Sequence, residues 1–116
     1  MAQEILIDAY GCDATVLDDA KKVQEVATQI VDKMESKVVE QRVHHFAPQG
    51  VTYVAILSTS HLAIHTWPES GYAAVDVFSC SRAYPPQIKE SICCALGASR
   101  CCMRCIERDT GGSDEL

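Results

Sequence analysis

The fold is decided by the stretch Leu62-Ala63-Ile64-His65-Thr66-Trp67-Pro68-Glu69-Ser70-Gly71-Tyr72-Ala73-Ala74-Val75-Asp76-Val77-Phe78-Ser79. On both sides of its centre, apolar residues alternate with polar or small ones, a pattern that is typical of half-buried strands. The centre, Pro68-Glu69-Ser70-Gly71, contains the residues that favour a turn. The sequence therefore predicts a hairpin of two antiparallel strands, residues 62–67 and 72–79.

The same signals predict further elements on both sides of this hairpin. The expected strands are residues 4–10, 38–46, 51–57 and 100–107, and the expected helices are residues 18–35 and 85–96. The first helix has an apolar stripe at spacings of three and four residues, namely Val23, Val26, Ala27, Ile30, Val31 and Met34. Short links between the middle strands require antiparallel pairing, because parallel strands need long crossovers. We predict an α+β fold, a two-layer sandwich in which an antiparallel sheet carries two helices on one face.

Length and composition limit the class of protein. The chain has 116 residues, of which 47% are hydrophobic and 22% charged, which suits a single globular domain over residues 1–116. A net charge of −6 argues against a nucleic-acid surface, which needs a basic stripe. No apolar stretch has the length of a membrane span, and the first residues lack a basic signal-peptide start. We expect a cytoplasmic protein that binds neither nucleic acid nor membrane.

Seven cysteines are many for this length, and five of them fall late: Cys93, Cys94, Cys101, Cys102 and Cys105. Without a secretory signal we expect reduced thiols rather than disulfides. Cys102 and Cys105 have the CxxC spacing of zinc ligands, but a closed site needs four ligands and no second CxxC or HxxxH follows. We predict small buried hydrophobes and no metal. A cysteine-bound metal module is the alternative, and total metal content tests it.

The residues that suggest chemistry lie in and just before the hairpin. Ser58-Thr59-Ser60-His61 links two predicted strands without the Gly, Pro, Asn or Asp that such links usually contain. After it come His65-Thr66-Trp67-Pro68-Glu69, Gly71-Tyr72-Ala73-Ala74 and Phe78-Ser79-Cys80. This string resembles the signature of the prokaryotic S-adenosylmethionine decarboxylase proenzymes. The likeness starts near residue 5, and we expect it to fade past residue 80.

The resemblance implies that the chain cuts itself between Thr59 and Ser60, giving residues 1–59 (the beta chain) and 60–116 (the alpha chain). Ser60 Oγ attacks the carbonyl of Thr59 to form an ester, and elimination leaves dehydroalanine, which hydrolyses to a pyruvoyl group. By the same resemblance, His65 is the processing base, and Thr52 gives the oxyanion a hydroxyl where the family commonly has serine. Taken singly, His65 is a packed histidine and Thr52 an ordinary strand former.

The resemblance also implies the site of the mature enzyme. The pyruvoyl group is the covalent cofactor, which forms a Schiff base with the substrate amine and acts as an electron sink. Cys80 matches the family's proton donor. Phe46 and Trp67 hold the adenine between their rings, and Glu69 accepts hydrogen bonds from the ribose. The implied substrate is S-adenosylmethionine, the implied product is the aminopropyl donor for polyamine synthesis, and the implied assembly is a homodimer of cleaved protomers.

Departures from the family leave two other readings open. Thr59 stands where the best-known members have glutamate, and Ser81-Arg82 follow the cysteine where glycine and an acidic residue are common. A pyruvoyl-dependent decarboxylase of a basic amino acid, arginine or ornithine, is therefore one alternative. An uncleaved, non-catalytic partner subunit is the other, although it has no chemical need for Ser60, His65 and Cys80 together.

Overall fold

A computed structural model describes residues 2–58, 60–80 and 87–111 of the chain. Its strands are β1 (Ala2–Tyr10), β2 (Val38–His45), β3 (Val51–Leu57), β4 (His61–Trp67), β5 (Tyr72–Ser79) and β6 (Arg100–Arg108). Its helices are α1 (Ala14–Leu17), α2 (Ala20–Lys33) and α3 (Ile88–Ala95), and a short 3-10 turn covers Pro68–Ser70. Every predicted strand is present, with bounds that differ by one or two residues at most.

The six strands form one antiparallel sheet in the order β2-β3-β4-β5-β1-β6. The predicted hairpin is at its centre, with Trp67 paired to Tyr72 and His61 to Phe78. The first strand, β1, lies between β5 and β6. The first and last strands are therefore neighbours on one side of the sheet, where β6 forms the edge. The predicted α+β sandwich is confirmed.

The helices differ in two places from the prediction. The long helix begins at Ala20 rather than at residue 18, because the Asp19 side chain caps it by accepting the backbone N–H groups of Lys21 and Lys22. Ahead of it the chain forms the separate short helix α1, capped by Asp13. Of the second predicted helix, residues 88–95 are helical, whereas Pro85 and Pro86 lie outside the described residues.

One face of the sheet packs against the helices and forms the core. The predicted stripe of α2 is buried there, apart from the partly buried Met34. It packs into a cluster with alternate residues of the strands, among them Ile5, Ile7, Tyr53, Leu62, Ile64 and Val75. Each of these is at most 1% exposed, so this face is closed to solvent.

The other face of the sheet, here called the open face, is not covered by any described helix. Strand alternation places on it Thr52, Val54 and Ile56 of β3, His61, His65 and Trp67 of β4, Tyr72, Asp76 and Phe78 of β5, and Glu4, Asp8 and Tyr10 of β1. Val54 is 44% exposed and Ile56 52%. Most of the site residues that the resemblance implies lie on the open face, so we expect the site there. Among the described helices, none is long and apolar enough to cross a membrane.

Candidate active site

Ser60 lies in a tight hairpin between β3 and β4. The backbone N–H of Leu57 donates to the carbonyl of Ser60 at 2.9 Å, so only two residues, Ser58 and Thr59, form the loop. Ser58 is tied to the preceding segment, because its N–H donates to the carbonyl of Lys37 at 3.0 Å and its hydroxyl contacts that of Ser36 at 3.0 Å. Thr59 itself lies outside the described residues. The candidate nucleophile is therefore held immediately after a short, anchored loop.

The same end of the sheet brings Ser60 to Cys80. The backbone N–H of Cys80 donates to Ser60 Oγ at 3.4 Å. This long hydrogen bond links the residue just before β4 to the residue just after β5. Cys80 is 8% exposed and Ser60 is half-buried. Next to them, the rings of His61 and Phe78 stack at 5.5 Å. We call this group, Ser60, His61, Phe78 and Cys80, the Ser60 end.

A second group lies at the opposite end of the open face. Thr52 and His65 are paired across β3 and β4, and Thr52 Oγ1 lies 3.1 Å from His65 Nδ1. The ring of Trp67 follows on the same face, 6.4 Å from that of His65. Glu69 comes next, exposed in the 3-10 turn that ends β4. We call Phe46, Thr52, His65, Trp67 and Glu69 the Trp67 end.

The two ends are too far apart to act together within one chain. Five residues separate Ser60 from His65, and an extended chain rises about 3.3 Å per residue, so their backbones are roughly 16 Å apart. The resemblance assigns His65 as the base that acts on Ser60. The structure joins Ser60 to Cys80 but places the imidazole of His65 at the other end of β4.

At the Trp67 end, the strand register sets two aromatic residues, Phe46 and Trp67, on either side of a glycine, and we call the space between them the slot. Phe46 pairs with Gly50 through a hydrogen bond of 2.8 Å, and the β3–β4 register places Gly50 beside Trp67. The rings of Phe46 and Trp67 therefore flank a position that has no side chain. Strands lie about 4.8 Å apart, so backbones two strands apart are about 10 Å apart, enough for one flat ring between two others. Phe46 is 48% and Trp67 42% exposed, so both rings are open to a ligand.

Asp18 fixes the glycine of this slot, and sequence reasoning did not single it out. Its Oδ1 accepts the N–H of Gly50 at 2.9 Å and lies 2.8 Å from Nε2 of His45. The hydrogen bond from Gly50, followed by the contact with His45, holds the pKa of Asp18 below its usual range. Beside it, buried Thr66 donates to the carbonyl of Leu17 at 2.7 Å and accepts the N–H of Val51 at 2.8 Å. Contacts with the α1 region on the helix-covered side thus fix the start of β3 and the end of β4, next to the slot.

The prediction that the five late cysteines are small buried hydrophobes was wrong, because Cys94, Cys102 and Cys105 are exposed and Cys93 and Cys101 are only partly buried. All seven cysteines are free thiols. Burial, with the neighbouring Cys93, raises the pKa of Cys12 to about 11, and burial with a hydrogen bond to Cys93 raises that of Cys101 to about 12. Cys102 and Cys105 are three residues apart on one strand, so they point to opposite faces and do not act as a ligand pair. Within the described part of the chain, no cluster of three or more His, Cys, Asp or Glu residues is arranged to hold a metal.

Known proteins match both the sequence and the fold of this chain. A family model described as S-adenosylmethionine decarboxylase matches residues 3–109. The S-adenosylmethionine decarboxylase proenzyme of Moorella thermoacetica is 45% identical over 86 residues, 74% of this chain and 69% of that protein. The proenzyme of Caldanaerobacter subterraneus is 48% identical over 80 residues, 69% of this chain and 64% of that protein.

Among solved structures, the adenosylmethionine decarboxylase of Aquifex aeolicus superposes with a TM-score of 0.79 at 30% identity, covering 93% of this chain and 90% of that one. The matches define an enzyme of the decarboxylase class. More closely, the chain belongs to the S-adenosylmethionine decarboxylase family. The family match runs to residue 109, so our expectation that the likeness fades past Cys80 was wrong.

Proposed function

We propose that the protein decarboxylates S-adenosylmethionine, using a pyruvoyl group that it makes from its own Ser60, and so supplies the aminopropyl donor for polyamine synthesis. The observation that carries the proposal is the position of Ser60, in an anchored two-residue hairpin with its Oγ against the N–H of Cys80. Relatives that are 45% and 48% identical to this chain are named as proenzymes of this activity. The free state of all seven thiols is consistent with a cytoplasmic enzyme.

Processing begins at the bond between Thr59 and Ser60. Ser60 Oγ attacks the Thr59 carbonyl, the amide C–N bond breaks, and an ester replaces it. A base removes the Ser60 α-proton, the ester C–O bond breaks, and the 1–59 piece leaves with a carboxylate. The remaining dehydroalanine takes up water and releases ammonia, which leaves a ketone at the start of 60–116. Overall, cleavage takes up one water and releases one ammonia: the new carboxylate oxygen of 1–59 comes from Ser60, and the ketone oxygen of 60–116 comes from water.

In the mature enzyme, the pyruvoyl group supplies an electron sink for the electrons that CO2 leaves behind. The residues of the chain do the rest. Cys80 is the proposed proton donor to the substrate carbon, which is supported by the contact of its backbone N–H with Ser60 Oγ. The slot between Phe46 and Trp67 accepts a flat base, and Glu69 lies beside it to accept hydrogen bonds from ribose hydroxyls. A slot for a flat ring favours a nucleoside over arginine or ornithine as substrate.

Because the two ends of the open face are far apart, we propose that two copies of the chain complete each other's sites. Exposed apolar side chains on this face, Val54, Ile56 and Ile106, suit a face that packs against another. In a symmetric pair whose two-fold axis runs across the strands, the Trp67 end of one copy meets the Ser60 end of the other. His65 of the partner subunit then reaches Ser60, although His65 of the same chain does not.

Denaturing intact-mass analysis of freshly purified protein tests self-cleavage. We expect two pieces, 1–59 and 60–116, the second with a ketone in place of its amine. Ser60→Ala should stay whole, whereas Ser58→Ala, which changes the neighbouring serine of the same loop, should still be cut. A wild-type chain that stays whole would contradict the proposal and favour a non-catalytic subunit.

Release of CO2 from carboxyl-labelled substrates then identifies the substrate of the cleaved protein. We expect release from S-adenosylmethionine and not from arginine or ornithine. The reverse result would keep the pyruvoyl chemistry and replace the substrate.

A further inference from the structure

The slot at the Trp67 end belongs to a row of side chains that crosses the sheet. Tyr72 pairs with Trp67, the β1–β5 register sets Tyr10 beside Tyr72, and Tyr10 pairs with Arg100. The rings of Trp67 and Tyr72 stack at 5.1 Å and 26°, and those of Tyr72 and Tyr10 at 5.5 Å and 28°. The guanidinium of Arg100 closes the row, 4.2 Å from the centre of the Tyr10 ring.

Within this row, the two faces of Trp67 have different neighbours. One face of the ring stacks on Tyr72, and on the other side of Trp67 the β3–β4 register, continued by two residues, reaches Gly50, which has no side chain. A tryptophan at a strand end that is 42% exposed has few contacts to fix its ring plane. Tyr72 therefore supports the Trp67 ring from the side opposite to the one that a planar ligand would contact.

Tyr72 is itself held by a specific bond rather than by packing alone. Its hydroxyl donates to Oδ1 of Asp8 at 2.5 Å, a short bond to a charged acceptor on the neighbouring strand. This bond is the main reason that the pKa of Tyr72 is raised to about 12. The other oxygen of Asp8 lies 3.6 Å from Arg104 on β6, so the acceptor is tethered from its other side.

We infer that Tyr72 is a positioning residue: its bond to Asp8 fixes the ring of Trp67 in the plane that a nucleoside base needs. The inference rests on the proposed function for the identity of the ligand. It predicts that loss of the Tyr72 hydroxyl weakens substrate binding, while bound substrate reacts at its normal rate because Tyr72 does not contact the reacting carbon.

Trp67 is the only tryptophan, so its fluorescence reports on this ring directly. The probe is 5′-methylthioadenosine, which has the base and ribose but no α-amine to react. For Tyr72→Phe we expect about tenfold weaker binding, or about 1.4 kcal/mol, with a similar rise in KM and an unchanged kcat. Asp8→Asn keeps an acceptor oxygen without the charge and should fall between wild type and Tyr72→Phe.

Tyr53→Phe is the matched control. It also removes a tyrosine hydroxyl with a short hydrogen bond, to Gln41 at 2.6 Å, but on the helix-covered face. It should bind the nucleoside as wild type does. Equal weakening by both variants, or none by Tyr72→Phe, would overturn the inference. A kcat that falls with KM unchanged would overturn it too.

Emission anisotropy of Trp67 in ligand-free protein separates this inference from the proposed function. Lower anisotropy in Tyr72→Phe than in wild type and Tyr53→Phe supports the positioning role, whatever the ligand proves to be. If wild type shows that ordered ring but binds no nucleoside, the proposed substrate fails and the positioning role stands. Unchanged anisotropy in Tyr72→Phe would reject the positioning role, even in an active decarboxylase.

Discussion

The hydroxyl of Thr52 is a single atom with a specific task in the proposed processing. It lies 3.1 Å from His65 Nδ1 in the same chain, and threonine and valine differ in shape only by that oxygen. Loss of one oxyanion donor typically slows acyl chemistry by a factor of a hundred to a thousand. We therefore expect Thr52→Val to slow cleavage roughly a hundredfold, while Thr52→Ser cleaves at close to the normal rate.

The time course of the uncut band after purification measures this effect. Both variants keep the β-strand packing, so their folded fractions, checked by circular dichroism, should match wild type. Normal cleavage of Thr52→Val would show that the oxyanion is stabilised by another donor.

At the residue level, the sequence identified the motif residues but not what holds them. Ser60 and Cys80 are neighbours in space, as the predicted hairpin implies. Sequence proximity misled for His65, because five residues of extended strand carry it away from Ser60. The contacts of Asp8, Asp18 and Tyr72 could not be predicted, because their partners lie on elements far along the chain and only the folded sheet brings them together.

At the level of elements, local patterns predicted the strands well and the helix starts less well. Alternation and flanking turn residues placed β3 and β5 at their observed bounds. The apolar stripe of α2 was correct, but its period does not reveal that Asp19, rather than Asp18, is the cap. The position of β1 between β5 and β6 arises from contacts distant in sequence, which no local pattern encodes.

Asp18 links the junction between α1 and α2 to the β2–β3 hairpin through its hydrogen bonds with Gly50 and His45. Because a carboxylate makes these bonds, the link is sensitive to acid. Hydrogen bonds from Gly50 and His45 lower the pKa of Asp18 below its ordinary value of 3.8. The folded state therefore binds this proton less tightly than the unfolded state. The stability that Asp18 contributes is fully present above pH 3.8 and is lost as the pH falls through the lowered pKa.

We accordingly expect Asp18→Asn to lower the urea midpoint near neutral pH, and the difference from the parent protein to shrink as the pH falls below 3.8. The Ser60→Ala background keeps both chains whole during the measurement. Asp32→Asn, which changes an exposed carboxylate of α2, is the control and should leave the midpoint close to that of the parent. A constant difference at every pH would show that the link does not depend on the charge of Asp18.

At the scale of the whole molecule, the open face has both reactive and apolar character. A two-layer sandwich buries one side of its sheet against the helices. The side left open has His61 and Phe78 of the Ser60 end, the aromatic slot, and the exposed side chains of Val54 and Ile56. Under the proposed roles, one chain has the nucleophile Ser60 without its base at one end, and the base His65 without its nucleophile at the other. The proposal therefore makes assembly of two copies a condition for cleavage.

Mixing two inactive variants tests whether the base comes from a second copy. Neither Ser60→Ala, which lacks the nucleophile, nor His65→Ala, which lacks the base, should be cut alone. In a mixed pair, Ser60 of the His65→Ala chain faces an intact His65 of the partner subunit. Random pairing of equal amounts puts about half of the chains in mixed pairs, so about half of the His65→Ala chains should be cut.

Intact-mass analysis after refolding the two variants together measures the outcome, with a mass tag on one of them. Only the His65→Ala chain should be cut, since the other has no serine to react. As a control, His65→Ala is mixed with a Ser60→Ala/His65→Ala double variant, which has no base to lend, and no cleavage is expected. If the first mixture stays whole while wild type is cut, each chain supplies its own base, which requires His65 to leave the position it has in β4. If His65→Ala is cut on its own, another group is the base.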